Sequence, residues 1–161
     1  IMKKTFVLLA CLTSFSLLNF AQKVDISKDN KIMVDKTPIA NIEKDGCGAF
    51  SIDCIYYISN LNDEPLITAT AHSIILKSEI SQYNPKGEVV FFRISFNGID
   101  DVAEIPYTLK AKSLAQTLVK AKLIKDNKLD ENAVNNFVKS RGTTFSDKAE
   151  RENTKKVIIL N

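Results

Sequence analysis

Hydrophobic and polar residues alternate with a period of two through much of residues 24–105, a pattern typical of strands that bury one side of a sheet. The alternation is clearest over 50–59 and 89–96. The turn signals between the apolar runs favour hairpins, and Asp45-Gly46 is the strongest of them. We therefore predict antiparallel strands over 24–27, 31–35, 39–44, 50–59, 66–71 with an extension over 74–76, 89–96 and 102–105.

After residue 107 the period changes to that of a helix. Thr108 is placed as the N-cap of a helix that runs to about residue 123, because the apolar residues recur at three- and four-residue spacing: Ala111, Leu114, Ala115 and Leu118. Asp130 is placed as the N-cap of a second helix, and Gly142 follows its end. The charged stretch 146–156 is either a short helix or a loose tail, and the apolar run 157–160 either adds an edge strand or docks on the core.

These patterns together predict an α+β fold. An antiparallel sheet of about five to seven strands is followed by a helical hairpin, residues 108–142, that packs on it. We expect a single domain over 22–161 that is mainly β over 22–107, with the charged segment and apolar end over 143–161.

The first 21 residues have the organisation of a signal peptide. Lys3 and Lys4 precede an apolar run over 6–20, which is short for a membrane span, and Ala21 precedes a polar start. We expect cleavage near Ala21, export to the periplasm or the medium, and no transmembrane segment in the mature chain. Residues 8–11 resemble a lipobox ending at Cys11, but the apolar run continues beyond that residue, which argues against lipidation.

Charge is distributed unevenly along the chain. Removal of Lys3 and Lys4 leaves 20 Lys and Arg against 19 Asp and Glu, so nothing in the overall charge suggests a nucleic-acid partner. Residues 22–107 carry 8 basic and 13 acidic residues, a net charge of −5, whereas residues 108–161 carry 12 and 6, a net charge of +6. Either the halves attract each other, which the interspersed lysines favour, or the basic half faces an anionic surface or an envelope protein.

Cys47 and Cys54 would enter an oxidising compartment on export. If residues 50–59 form a strand that starts near Cys47, seven extended steps separate the two residues by about 23 Å, whereas bridged Cα atoms lie within about 7 Å. A disulfide therefore requires a chain reversal between Gly48 and Asp53. Without one, Cys54 is a buried thiol. No helix start or basic cluster lies nearby in sequence to activate a catalytic thiol.

The sequence offers few candidates for other chemistry. A single histidine excludes sites built from two histidines of one chain. His72, Asp100, Asp101 and Glu104 are weak candidates for binding or acid-base work, because a structural or surface histidine and a charged turn are the commoner explanations. The chain contains no nucleophile elbow, phosphate loop or dinucleotide fingerprint, so we predict no catalytic residue, metal ion or cofactor.

The leader 2–21, the hairpin-like start 24–35 and the segment 57–63 resemble small exported proteins of Bacteroidota that have no assigned activity. The resemblance implies an envelope or secreted location and carries over no functional residue. We interpret the chain as a non-enzymatic binding or structural module of the bacterial cell envelope, which an exposed apolar or basic patch would support. The alternatives are a small secreted hydrolase, marked by a pocket that holds a titratable cluster, and an apolar-ligand carrier, marked by a roomy apolar cavity.

Overall fold

Seven antiparallel strands form one sheet in which each strand pairs with its neighbours in sequence. The structure is a computed structural model that describes residues 22–48 and 53–158, with side chains up to residue 154. The predicted leader over 1–21, Cys11 and the last residues of the apolar C-terminal run lie outside the described residues. The strands are β1 Val24–Ile26, β2 Lys31–Val34, β3 Thr37–Asp45, β4 Ile55–Ser59, β5 Pro65–Ile75, β6 Glu88–Phe96 and β7 Ile99–Pro106.

The turn between β2 and β3 corrects one expectation from the sequence. Asp35 and Lys36 both have positive φ angles, 49° and 72°, as a two-residue hairpin turn requires. Strand β3 therefore starts at Thr37, two residues before the predicted start at residue 39, and Pro38 lies within it. The register between β2 and β3 shifts beside Met33, the partner of Pro38, so the proline sits at an irregularity, where a missing N–H is tolerated.

Three helices follow the sheet: α1 Ala111–Lys120, α2 Glu131–Arg141 and α3 Thr144–Ile158. A two-stranded hairpin, β8 Ile124–Lys125 with β9 Lys128–Leu129, connects α1 to α2. The prediction of Thr108 as an N-cap is wrong, since α1 starts at Ala111 and the Thr108 hydroxyl accepts only the N–H of Lys110. Helix α1 also ends before residue 123, because Lys122 takes a φ of 56° and turns the chain.

Helix α2 follows its sequence signals closely. The Asp130 carboxylate accepts the N–H of Ala133 at 3.0 Å, which confirms the predicted N-cap. Gly142 follows the last helical residue with a φ of 55°, as expected for a glycine at this position. Helix α3 starts two residues later, so the charged segment is a helix and not a loose tail.

Helices lie on both faces of the sheet. The first face carries the main core, in which Phe96 of β6 meets Phe137 of α2 edge to face with ring centroids 6.4 Å apart. The second face carries Phe91, whose ring stacks on Phe145 of α3 at 4.9 Å. Side chains of neighbouring strand residues point to opposite faces, so these two contacts place α2 and α3 on opposite sides of the sheet. The predicted helical hairpin accounts for only one of these layers.

The chain crosses the sheet edge at Gly142, between α2 and α3. The Gly142 carbonyl accepts the N–H of Glu104 on the edge strand β7 at 2.8 Å, which satisfies a donor that an edge strand otherwise exposes. Farther along α3, the Glu152 carboxylate accepts the backbone N–H of Lys77 at 2.7 Å and bonds with Ser78. Helix α3 is thus attached to the rest of the fold at its start and again near its middle.

Candidate functional site

The structure does not assemble the acidic residues that the sequence singled out. Asp100 and Asp101 are exposed near the start of β7, whereas Glu104 is 2% exposed in the same strand. Glu104 is the cross-strand partner of Arg93 and lies on the face that α3 covers. A shared carboxylate site made of these three residues is therefore absent from the described chain.

Glu104 instead caps the start of helix α3. One carboxylate oxygen accepts the N–H groups of Phe145 and Ser146 at 2.9 and 3.0 Å, and the other accepts the Ser146 hydroxyl at 2.5 Å and Arg93 Nη2 at 3.1 Å. Burial alone would raise the pKa of the carboxyl, but the hydrogen bonds from Ser146, Arg93 and Phe145 outweigh it and lower the pKa below the usual value. Glu104 therefore has a structural role: both of its carboxylate oxygens accept hydrogen bonds that attach α3 to the sheet.

His72 takes part in a stack of three rings. Its ring centroid lies 5.8 Å from that of Phe91, and Phe145 stacks on Phe91 as well. In register, His72 is opposite Phe91 and Glu104 is opposite Arg93, so β6 lies between the histidine and the carboxylate. Within the described residues the His72 side chain has no hydrogen bond or ion pair, and no three His, Cys, Asp or Glu side chains are grouped to hold a metal ion.

Cys47 and Cys54 form a disulfide across the end of the β3–β4 hairpin, with Cα atoms 4.2 Å apart. The argument that an extended strand would hold the two cysteines apart does not apply, because β4 starts at Ile55 and Cys54 precedes it. Residues 50–52 of the predicted strand lie outside the described chain. Gly46 has a φ of 65°, and a Cβ atom there would lie 2.1 Å from the Asp53 carbonyl oxygen. The turn thus needs glycine both for its backbone angle and for the close approach of the chain.

An open groove with a volume of about 740 Å³ is lined by residues of helices α1 and α2 and of the turn after α1. We call it the helical groove. Three cationic residues line it: Lys120 at the end of α1, Lys122 in the turn that follows α1, and Arg141 at the end of α2. The Arg141 guanidinium lies 5.9 Å from the centroid of the buried Phe137 ring on the same helix. Along α2 the lining extends from residue 132 to 141, or roughly 14 Å at 1.5 Å per residue.

The cations of the helical groove have no ion-pair partner within the described chain. The ion pairs there join Arg93 to Glu104, Lys112 to Asp25 and Lys148 to Glu79. The carboxylate that lines the groove, Asp130, also caps α2. The side-chain amides of Asn132 and Asn136 line the same groove and form no hydrogen bond with described residues. The groove therefore offers cations and amides to a ligand with negative or hydrogen-bonding groups.

A second depression, which we call the apolar pocket, adjoins the helical groove and encloses about 450 Å³. Aliphatic side chains from four elements form its walls: Ile32, Val34, Ile39, Leu118, Val119 and Ile124. Lys122 and Asp130 line both depressions, so the two meet at this pair. The sequence indicated that the C-terminal half is basic, but not that the β8–β9 connection gathers part of it around two adjoining cavities.

Comparison of the chain with protein-family models, with curated proteins and with solved structures finds no match. Its function therefore has to be argued from its own geometry. Among the described residues, no helix combines the length and the apolar character needed to cross a membrane.

Proposed function

We propose that the protein is an exported, non-enzymatic binding module of the bacterial cell envelope that holds an anionic ligand in the helical groove. The observation that carries the proposal is the convergence of Lys120, Lys122 and Arg141 on one groove without ion-pair partners among the described residues. Cationic side chains along one groove attract anionic groups and can donate charge-assisted hydrogen bonds to them.

Export is part of the same proposal. The leader over 1–21 supports it, and so does the resemblance of the sequence to small exported proteins of Bacteroidota. The Cys47–Cys54 disulfide is compatible with an oxidising compartment. Cleavage near Ala21 would leave Gln22 at the start of the mature chain.

The alternatives differ in their support. A hydrolase that uses Asp100, Asp101 or His72 has no assembled geometry in the described chain, since the two aspartates are exposed and the histidine stacks on Phe91. A carrier of an apolar ligand is supported by one observation, the aliphatic lining of the apolar pocket. That pocket adjoins the cationic groove, so we treat it as an extension of the same binding site.

Binding of a low-molecular-weight heparin probe tests the proposal. The protein exported by a bacterial host is purified, its mass is measured to locate the N-terminus, and binding is followed by fluorescence anisotropy at low and moderate salt. We expect salt-sensitive binding that weakens about two- to fivefold in Lys120→Gln and in Arg141→Gln, the range for exposed ion pairs.

Lys86→Gln is the matched control, because Lys86 is exposed, lies in the β5–β6 loop and forms no ion pair within the described chain. It should bind like the unmodified protein. Absence of binding, or equal binding by the groove variants and the control, would refute the groove as the site. A mass that includes residues 1–21 would refute cleavage.

A further inference from the structure

We propose that the natural ligand is an amphiphilic anion whose hydrocarbon tail enters the apolar pocket and whose acidic headgroup is held by Lys122 and Lys125. This inference rests on the proposed function, since it gives the chemical class of the anion that the helical groove attracts. The two cavities meet at Lys122, so one molecule can contact both.

The lining of the apolar pocket suits a hydrocarbon tail. Ile32 and Leu118 are buried, with 0% and 1% of their surface exposed, and form the deeper part of the wall. The remaining aliphatic side chains are only partly buried and belong to the margin of the main core: Val34, Ile39, Val119 and Ile124. The pocket volume of about 450 Å³ lies within the usual range for small-ligand sites. A hydrocarbon tail in the pocket would remove the exposed parts of these four side chains from water.

The rim of the pocket favours a negative headgroup. Lys122 and Lys125 lie on the rim and have no ion-pair partner among the described residues. The carboxylate of the acidic rim residue, Asp130, accepts a hydrogen bond from the N–H of Ala133, so it is oriented toward α2. Two cations against one carboxylate leave a net positive rim, which favours an anionic amphiphile over a neutral or cationic one.

Three probes separate the contributions of tail and headgroup: dodecanoate, dodecanol with the same tail and no charge, and acetate with the same charge and no tail. Binding to the exported protein is measured by isothermal titration calorimetry below the concentration at which dodecanoate forms micelles. We expect dodecanoate to bind at least tenfold more tightly than dodecanol and acetate to show no measurable binding.

Variants then locate the tail and the headgroup. Val119→Phe and Ile124→Phe each fill the pocket with an apolar side chain, and each should weaken dodecanoate binding at least tenfold. Val102→Phe is the control, since Val102 is partly buried on the second face of the sheet, away from the pocket. Lys122→Asn combined with Lys125→Gln should weaken dodecanoate about five- to tenfold and leave dodecanol unchanged; asparagine tolerates the positive φ at residue 122.

A measurement without variants guards against misfolding. In methyl NMR spectra, dodecanoate should shift the signals of Val34, Ile39 and Ile124 more than those of Val102. If dodecanoate does not bind, or binds the pocket-filling variants as well as the unmodified protein, the amphiphile proposal is overturned. If the dodecanoate tests fail but heparin still binds, the proposed function stands. If neither dodecanoate nor heparin binds, the amphiphile proposal and the proposed function are both overturned.

Discussion

Replacement of Glu104 by glutamine should release much of the attachment between helix α3 and the sheet. The buried carboxylate accepts four hydrogen bonds, two from backbone N–H groups at the start of α3, one from the Ser146 hydroxyl and one from Arg93. Glutamine keeps one acceptor oxygen, which can still serve the N–H groups of Phe145 and Ser146. Its amide nitrogen then faces the Arg93 guanidinium, so a donor meets a donor.

The expected cost follows from these contacts. A hydrogen bond to a charged group contributes about 1.5–3 kcal/mol, and a negative charge at a helix N-terminus contributes about 0.3–1 kcal/mol. Arg93 is 41% exposed, so after the substitution its charge is partly hydrated and the loss is smaller than for a fully buried pair. We expect Glu104→Gln to lower the free energy of unfolding by about 2–3 kcal/mol at pH 7.

The pH dependence gives the sign of the effect. Hydrogen bonds hold the pKa of Glu104 in the folded protein below its ordinary value of 4.5. The stabilisation is therefore fully present above pH 4.5 and is lost as the pH falls through the folded-state pKa. The stability gap between the unmodified protein and Glu104→Gln should narrow below pH 4.5, because the carboxyl then becomes neutral like the amide.

Equilibrium urea unfolding at pH 7 and at pH 3, with the disulfide kept oxidised, measures both effects. Asp101→Asn is the matched control, since Asp101 is exposed on the same strand, and it should change stability by no more than about 0.5 kcal/mol. Equal stability of Glu104→Gln and the unmodified protein at pH 7 would refute the capping role. A gap that stays constant down to pH 3 would refute the assignment of the charge effect to Glu104.

Two further predictions concern the β3–β4 hairpin. In urea, the free energy of unfolding of the double variant Cys47→Ser, Cys54→Ser should be about 2–3 kcal/mol lower than that of the unmodified protein, because the disulfide closes a loop of eight residues. Reaction of Cys47 or Cys54 with a thiol reagent in the native protein, without prior reduction, would contradict the disulfide. In thermal unfolding, Gly46→Ala should lower stability by at least twice as much as Gly98→Ala. Both glycines have positive φ, but only at Gly46 would the added Cβ atom clash with the chain, at 2.1 Å from the Asp53 carbonyl oxygen. Equal losses would show that the Asp53 carbonyl moves aside freely.

The sheet was predictable because the alternation of apolar and polar residues within each strand indicates which of its sides is buried. Phe92, Ile94 and Phe96 alternate with more polar residues in β6, and all three are buried on the first face. Such a pattern requires no knowledge of distant residues. The same holds for helix α2, whose N-cap Asp130 and terminal Gly142 are local signals that the structure confirms. The α+β class and the order of its parts follow from these local rules.

The second face could not be predicted in the same way. In the sequence, Glu104 is one of three acidic residues that follow a glycine turn. Its role as the cap of α3 depends on its register opposite Arg93 and on the docking of α3. The disulfide depended on a chain reversal within a short loop, which the alternating pattern of 50–59 concealed. The helical groove is lined by residues of two helices and of the connection between them, so no single segment of the sequence specifies it.

The uneven charge of the chain has two consequences, and the structure assigns them to different residues. Two of the described ion pairs join an acidic residue of the first half to a lysine of the second, Asp25 with Lys112 and Glu79 with Lys148. This is the attraction between halves that the charge pattern favours. Lys120, Lys122 and Arg141 belong to the same basic half but face the helical groove without such partners in the described chain. Self-attraction thus accounts for only part of the basic half, and three of the described cations that it leaves over line the helical groove.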